Sequence, residues 1–317
     1  MHSHIKKTTI NQIHPVYRFK DFLKERFPYQ VRKLPIHTYL GCPHRDSGSA
    51  GGCIYCYEPA FSTLRPDLPD VNTQISNWIE RSRKRGYEGK FIAYFQTGTN
   101  TYAETALLKK WWNIVFDYPD DIAGLAIGTR PDCLQDSAIE LLADFSKRLM
   151  VWLELGLQSA NDETLRLINR GHDYNCFRDA VTRVRAYGSI LICAHVIMGL
   201  PDETVDDMLY TIREINRLKL EGIKIHHLQV VKHTVLQNWF ENSRVKLFDE
   251  YEYIDLMSHL LPHLDNSICV HRLIGDIQDD LLIAPRWTLP KTQVIQLIEK
   301  RLRDMNTFQG KAYTSND

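Results

Sequence analysis

Cys42, Cys53 and Cys56 fall within one short stretch, Cys42-Pro43-His44-Arg45-Asp46-Ser47-Gly48-Ser49-Ala50-Gly51-Gly52-Cys53-Ile54-Tyr55-Cys56, a C-x10-C-x2-C arrangement. The C-x-x-C half lets two sulfurs converge on one centre. The spacer Gly48-Ser49-Ala50-Gly51-Gly52 lets the backbone turn until Cys42 joins them. Soft thiolates suit zinc or iron–sulfur clusters. A structural zinc closes with four ligands, and His44 would supply the fourth. Three thiolates alone would leave one iron of a [4Fe–4S] cluster open to hold a substrate or cofactor. Unliganded reduced thiols are a third reading, and spacing alone leaves all three open.

Whatever these thiols bind, a scaffold must position them. Lys33–Leu40 is predicted as a short strand leading straight into the thiol loop, and a helix follows over about 72–85. Strand Phe91–Gln96 then ends in Thr97-Gly98-Thr99-Asn100-Thr101. Helix Ala103–Phe116 leads to strand Gly124–Gly128, which ends in Thr129-Arg130-Pro131-Asp132. Helix Gln135–Lys147 precedes strand Met150–Leu157. Helical patterns over Asp162–Ile168 and Tyr174–Tyr187 precede strand Ile190–Met198, which ends in Gly199-Leu200-Pro201. Helix Val205–Leu218 leads to strand Ile223–Val230.

Short apolar strands alternating with helices argue for βαβ units and a parallel sheet. Six such units in about 200 residues predict an α/β chain with a partial (β/α)6, TIM-like barrel. Chemistry in such barrels sits at the C-terminal ends of the strands. The thiol loop, Thr97–Asn100, Thr129–Asp132, Glu154–Gln158 and His195–Pro201 would then face one mouth. The chain divides into an N-terminal helical extension (1–33), the barrel (34–232) and a C-terminal α/β extension (233–317). In the last, Tyr251–Leu261 and Lys291–Arg303 read as helices, Ile268–Arg272 as a further strand, and Gly310–Asp317 as frayed.

The 317 residues, 44% hydrophobic and 25% charged, suit a globular chain, and the formal net charge of zero gives nucleic acid no global attraction. Locally, six basic residues between Arg18 and Lys33 are interleaved with Phe19, Phe22, Phe27 and Tyr29. That pattern fits either a phosphate-binding, base-stacking surface or a helix that packs its aromatic side on the barrel. No apolar run approaches the ~18 residues of a membrane span, so no membrane partner is expected. The N-terminus lacks an apolar signal region, and seven cysteines, an odd number, do not suit a disulfide framework. A reducing cytoplasm is expected.

With the thiol loop after the first strand, the chain resembles the radical S-adenosylmethionine (SAM) superfamily, and within it the YhcC-type proteins. The resemblance rests on Cys42-Pro43-His44-Arg45-Asp46, on Gly51-Gly52-Cys53-Ile54-Tyr55-Cys56 and on Ala60-Phe61. It covers about 17–310. Leu153-Glu154-Leu155-Gly156-Leu157-Gln158-Ser159, Asn169-Arg170-Gly171-His172 and His195-Val196-Ile197-Met198-Gly199-Leu200-Pro201 also resemble the radical SAM core of the Elongator catalytic subunit.

The resemblance implies that Cys42, Cys53 and Cys56 ligate a [4Fe–4S] cluster whose fourth iron chelates SAM. One electron, from a donor such as flavodoxin or ferredoxin, would cleave SAM to a 5′-deoxyadenosyl radical. Tyr55 would lie against adenine. Gln158 and Arg170, twelve apart, match positions that contact ribose and carboxylate in oxygen-independent coproporphyrinogen oxidases. His195 stands where those oxidases carry an acidic ribose contact. Thr97, Thr99 and Asn100 stand where many relatives carry Gly-Gly-Glu, so hydroxyl or amide oxygens would replace that carboxylate.

Glu154 is either a cofactor contact or the counter-ion of a buried Arg such as Arg130. Cys133, Cys176, Cys193 and Cys269 show no second clustered spacing, so no auxiliary cluster is expected. His226, His227, His233, His271 and Arg272 are candidate substrate contacts or ordinary structural residues. Three functions stay in play: radical modification of a tRNA base, the same chemistry on a small metabolite or cofactor precursor, and a non-catalytic zinc or iron–sulfur protein.

Overall fold

The computed structural model describes residues 10, 11, 13–38, 40–46, 51–61 and 69–314. The spacer residues Gly48, Ser49 and Ala50 and the last three positions of the expected frayed tail lie outside them. The strands are β1 (Val31–Ile36), β2 (Lys90–Phe95), β3 (Ile122–Thr129), β4 (Met150–Gln158), β5 (Leu191–Met198), β6 (Gly222–His227), β7 (Val230–Val231), β8 (Cys269–Arg272) and β9 (Leu282–Ala284).

The helices begin with α1 (Phe19–Lys24), α2 (Pro43–Asp46), α3 (Glu58–Phe61) and α4 (Val71–Lys84). They continue with α5 (Thr105–Asn113), α6 (Asp136–Ser146), α7 (Asp162–Leu167) and α8 (Tyr174–Ala186). The last are α9 (Val205–Arg217), α10 (Val235–Glu241), α11 (Glu250–Leu260) and α12 (Lys291–Asp304). None is long and apolar enough to cross a membrane.

Among the described residues, seven strands form one parallel sheet in the order β1-β2-β3-β4-β5-β6-β8, curled into a partial TIM barrel. The expected architecture is present, with the strand near 268–272 added as the last. A period of two sorts every strand. Phe91, Ala93, Phe95, Leu125, Ile127, Val151, Leu153, Leu155, Ile192 and Ala194 pack outward with the helices. Ile92, Tyr94, Ala126, Trp152, Cys193 and Cys269 pack together inside the curl. Helix starts carry their own signals: Thr204 and Asp207 form a capping box on α9, and Asp173 accepts from the Cys176 N–H at the start of α8.

The basic, aromatic N-terminal segment closes the bottom of this half-barrel. Val270 N–H donates to the Tyr17 carbonyl, and Arg18 bridges Val270, so the segment runs alongside β8. Phe19 and Phe22 of α1 meet the buried Trp152 ring edge-on at 5.7 and 5.1 Å, each such pair contributing roughly 0.5–1.5 kcal/mol. Arg26 lies over the Phe22 ring at 3.5 Å. Of the two readings of this segment, the packed helix is the one observed. At the other terminus, the expected fraying is absent from the described part: Gly310 N–H and Ala312 N–H donate to the carbonyls of Leu261 and Pro262.

Candidate active site

A cavity of about 290 Å³ opens at the C-terminal ends of the strands and is lined by all three thiols. Tyr55, Thr97, Thr99, Glu154, Gln158, Arg170 and His195 line it as well. A second hollow, of about 690 Å³, lies on the outside between α8 and α9, lined by Tyr174, Arg178, Asp207 and Glu214. The thiols and the strand-end loops belong to the first, so the chemistry belongs there too.

Three non-glycine residues at the mouth hold φ in the left-handed region: Thr97 (59°), Gln158 (75°) and Asn169 (51°). Each costs on the order of 1 kcal/mol, and such residues concentrate where side chains must be aimed at a ligand. At Gln158 the cause is visible. β4 carries one residue more than β5, pairing Gly156 with His195 and Gln158 with Val196. The bulge turns Gln158 to the cavity. Gly156 makes room for this, because a Cβ there would meet Arg170 Nη2 at 2.8 Å and Gln158 Nε2 at 2.9 Å. Gly98, with φ 70°, is likewise required, since a Cβ would lie 1.9 Å from the Leu40 carbonyl.

Arg170 links the cavity to the thiols. Its Nη2 donates to the Gly156 carbonyl at 2.7 Å, and Nη1 lies 3.7 Å from Cys53 Sγ. Burial, and next the neighbouring Cys53 thiol, push the Cys56 thiol up to about 12. Bound metal would supply positive charge that favours the thiolate there. His44 Nε2 donates to the Asn169 carbonyl at 2.6 Å, which fixes the ring beside the thiol loop. Among the described residues no three His, Cys, Asp or Glu side chains surround one point as a lone ion requires. All three thiols line one cavity, and soft thiolates suit a zinc or an iron–sulfur centre there.

Several residues that line this cavity carry a buried polar atom without a partner. Among the described residues Thr99 Oγ1, Gln158 Oε1, Arg170 Nε and Arg130 Nη1 are buried without a hydrogen bond. Buried polar atoms are rarely left so, and four around three thiols fit a polar cofactor held beside a cluster.

Asn100 is not part of this set. It accepts from the Thr38 hydroxyl at 2.8 Å and donates to the carbonyls of Thr97 and Gly128, clamping the loop from behind. Thr97 lines the cavity, but its hydroxyl is spent on the Gln96 carbonyl and on His37.

Glu154 has partners other than Arg130, the counter-ion that the sequence offers. Arg130 forms a two-pronged pair with Asp132 at 2.9 and 2.8 Å. Glu154 is held by Lys33, by Lys224 at 3.1 Å and by the Tyr94 hydroxyl at 2.7 Å. Burial alone would raise this carboxyl; Lys224 and Lys33 outweigh it and hold it well below the usual range. Sequence reasoning misses Lys33, Tyr94 and Lys224. The signal for them is alternation: Tyr94 shares a face with Ile92, and Lys224 stands between the apolar Ile223 and Ile225.

His195 and His226 face each other, ring centroids 4.3 Å apart. His227 stacks on Trp287 at 4.1 Å, and His233 packs on Tyr57. His271 is wedged below against Phe19 and Trp152, while Arg272 lines the cavity.

Comparison with known families decides the class. The radical SAM superfamily pattern matches residues 36–215, and the radical SAM C-terminal domain pattern matches 220–304. The chain belongs to the radical SAM superfamily.

Among relatives of this radical SAM enzyme is YtqA of Bacillus subtilis (strain 168), 36% identical over 295 residues, spanning 92% of this chain and 90% of YtqA. YhcC of Escherichia coli (strain K12) is 32% identical over 277 residues, covering 86% and 87% respectively. The tRNA uridine(34) acetyltransferase of Dehalococcoides mccartyi is 25% identical over 193 residues, 60% of this chain and 41% of that protein. The structure of archaeal Elp3 from Methanocaldococcus infernus, lacking residues 1–46, has the same fold. Its TM-score is 0.69 at 18% identity, over 88% of this chain and 64% of that one. The family's cofactors are a [4Fe–4S] cluster and SAM, and the three thiols and unpaired buried polar atoms fit them.

Proposed function

We propose that this enzyme uses SAM-derived radical chemistry to modify a base of tRNA. The observation that carries the chemistry is the convergence of Cys42, Cys53 and Cys56 with the unpaired polar atoms of Thr99, Gln158 and Arg170 on one cavity at the strand ends. When bound, the cluster and SAM supply a reductive cleavage that gives a 5′-deoxyadenosyl radical. The chain's own share is holding and shielding. Cys42, Cys53 and Cys56 would hold the cluster. Arg170 would tune the Cys53 sulfur through its Nη1–H and offers its unpaired Nε–H to a polar group of SAM. Gln158 and Thr99 offer polar atoms to SAM, Tyr55 a ring to its adenine, and His195 a ring nitrogen. The packed floor of Trp152, Phe19 and Phe22 keeps water out from below. A one-electron donor such as flavodoxin or ferredoxin completes the cycle.

The tRNA substrate is supported by the similarity to a protein whose name states action on tRNA uridine(34). A small metabolite or cofactor precursor is the second reading. Two observations favour it: the modest volume of the cavity, and an N-terminal segment whose Phe19 and Phe22 are committed to packing rather than to stacking on bases. Anaerobic reconstitution with iron and sulfide, then dithionite and SAM, tests both. 5′-Deoxyadenosine formed only with intact thiols and stimulated by bulk tRNA supports the first. Formation indifferent to tRNA, with no salt-dependent gel shift, supports the second. Iron without any nucleoside removes both.

A further inference from the structure

The inner wall of the cavity carries more positive charge than it answers. Glu154 contributes one negative charge, and both Lys33 and Lys224 contact it. Arg272 adds a further cation. Among the described residues its guanidinium makes no hydrogen bond and no ion pair, although it lines the cavity. Its position comes from the sheet. β8 carries one residue more than β6, pairing Val270 with Ile223 and Arg272 with Lys224, so His271 is the extra residue. Such a bulge re-aims side chains, and here His271 drops to the floor against Trp152 while Arg272 stands beside Lys224 at the cavity.

Above this pair, Nε2 of His195 and of His226 are buried without a partner among the described residues. Burial first, and next His195 and Lys224, hold the His226 imidazole well below its ordinary range. It is neutral and offers one N–H. Gln229 lines the same region, and Gly275 lets it and His226 approach the backbone, since a Cβ there would lie 2.5 Å from Gln229 Oε1. These groups come from β5, β6, β8 and the loops after β6 and β8. The thiols follow β1, and Thr97–Thr99 follow β2.

We infer that Arg272, with Lys224 and His226, receives an oxyanion of the substrate, either a phosphate or a carboxylate. The inference rests on reading this cavity as the active site. A planar guanidinium binds two oxygens of such a group at once, and the imidazole N–H can take a third contact. The anion also supplies the charge that Glu154 alone does not, which a desolvated cluster of cations requires.

The test uses the cluster-reconstituted protein with SAM bound, under anaerobic conditions, and titrates inorganic phosphate and acetate calorimetrically. Wild type is expected to bind one of them saturably, one per chain. Arg272→Gln should weaken that binding at least tenfold, and Arg272→Lys should retain part of it. SAM affinity, by equilibrium dialysis, should stay within twofold in both. Tighter phosphate points to a nucleotide backbone, tighter acetate to a carboxylate metabolite. If Arg272→Gln fails to hold iron, His226→Gln carries the same comparison. Unchanged anion affinity in the variant, no saturable binding of either probe by wild type, or a parallel loss of SAM would overturn the assignment. Absence of 5′-deoxyadenosine from wild type would instead remove the radical reading and leave the anion affinities standing.

Discussion

Lys224 Nζ lies 3.1 Å from Glu154 Oε2 on the inner wall of the barrel, and both reach the Tyr94 hydroxyl at 2.7 Å. Breaking a buried pair from one side leaves the other charge uncompensated, at about 3–5 kcal/mol. Glu154→Gln should therefore lose about that much in urea denaturation. Adding Lys224→Met to it should restore part of the loss, because one stranded cation is then gone. A double variant no more stable than the single one would show that the pair is not coupled as the geometry requires.

Gly156 separates cluster assembly from cofactor binding. Gly156→Ala places a methyl group against Arg170 Nη2 and Gln158 Nε2. The expected result is wild-type iron content with SAM binding weakened tenfold or more, about 1.4 kcal/mol. Equilibrium dialysis on the reconstituted variant checks it, and undiminished SAM binding would remove both side chains from the cofactor.

Iron content tests the thiols themselves. Reconstituted wild type should hold about four irons per chain and no zinc. Cys53→Ala and Cys56→Ala should each fall well short, whereas Cys133→Ala, outside the cavity lining, should leave the count unchanged. Stoichiometric zinc in the purified protein, with iron unable to displace it, would contradict this assignment.

The pH dependence of stability has two opposing sources. His227 and His271 are lowered to about 3 and His172 to about 4, burial being the largest cause in each. The unfolded chain binds protons at these rings below its ordinary value near 6.5, so stability falls as pH drops from there toward 4. Glu203 acts in the opposite sense. Burial raises it to about 7, against the hydroxyl of Ser159, so the folded chain holds the proton more tightly. Its contribution is present below the ordinary value near 4.5 and is lost as pH rises to 7. The urea midpoint of Glu203→Gln minus that of wild type should therefore grow between pH 5 and 7.5. A difference flat across that window would refute the shift.

What sequence conveys, and what it withholds, follows from the range of the interactions involved. Period-two and period-3.6 patterns and local caps act over a few residues, and α8, expected over Tyr174–Tyr187, spans Tyr174–Ala186. The thiol loop is legible because its spacing is itself the chemistry. The bulges at Leu157 and His271 are not, since an extra residue is defined only against the partner strand. Lys224 reads as an ordinary strand residue because its counter-ion stands 70 positions away. Arg130 reads as a partner for the distant Glu154, yet Asp132, two residues along, already answers it. The aromatics of α1 read more readily as a packed helix than as a stacking surface, and what they pack against, the inner cluster at the bottom of the half-barrel, is not visible locally.

The buried Gln309 ties the two ends of the chain together. Its Oε1 accepts from Tyr17 N–H at 2.9 Å, its backbone N–H donates to the Pro15 carbonyl, and its Nε2 donates to the carbonyls of Asp265 and Ile268. The segment that plugs the barrel is thus latched by a residue 292 positions away. A change at Gln309 would therefore reach the floor beneath the cofactors from a residue that lines no part of the cavity itself.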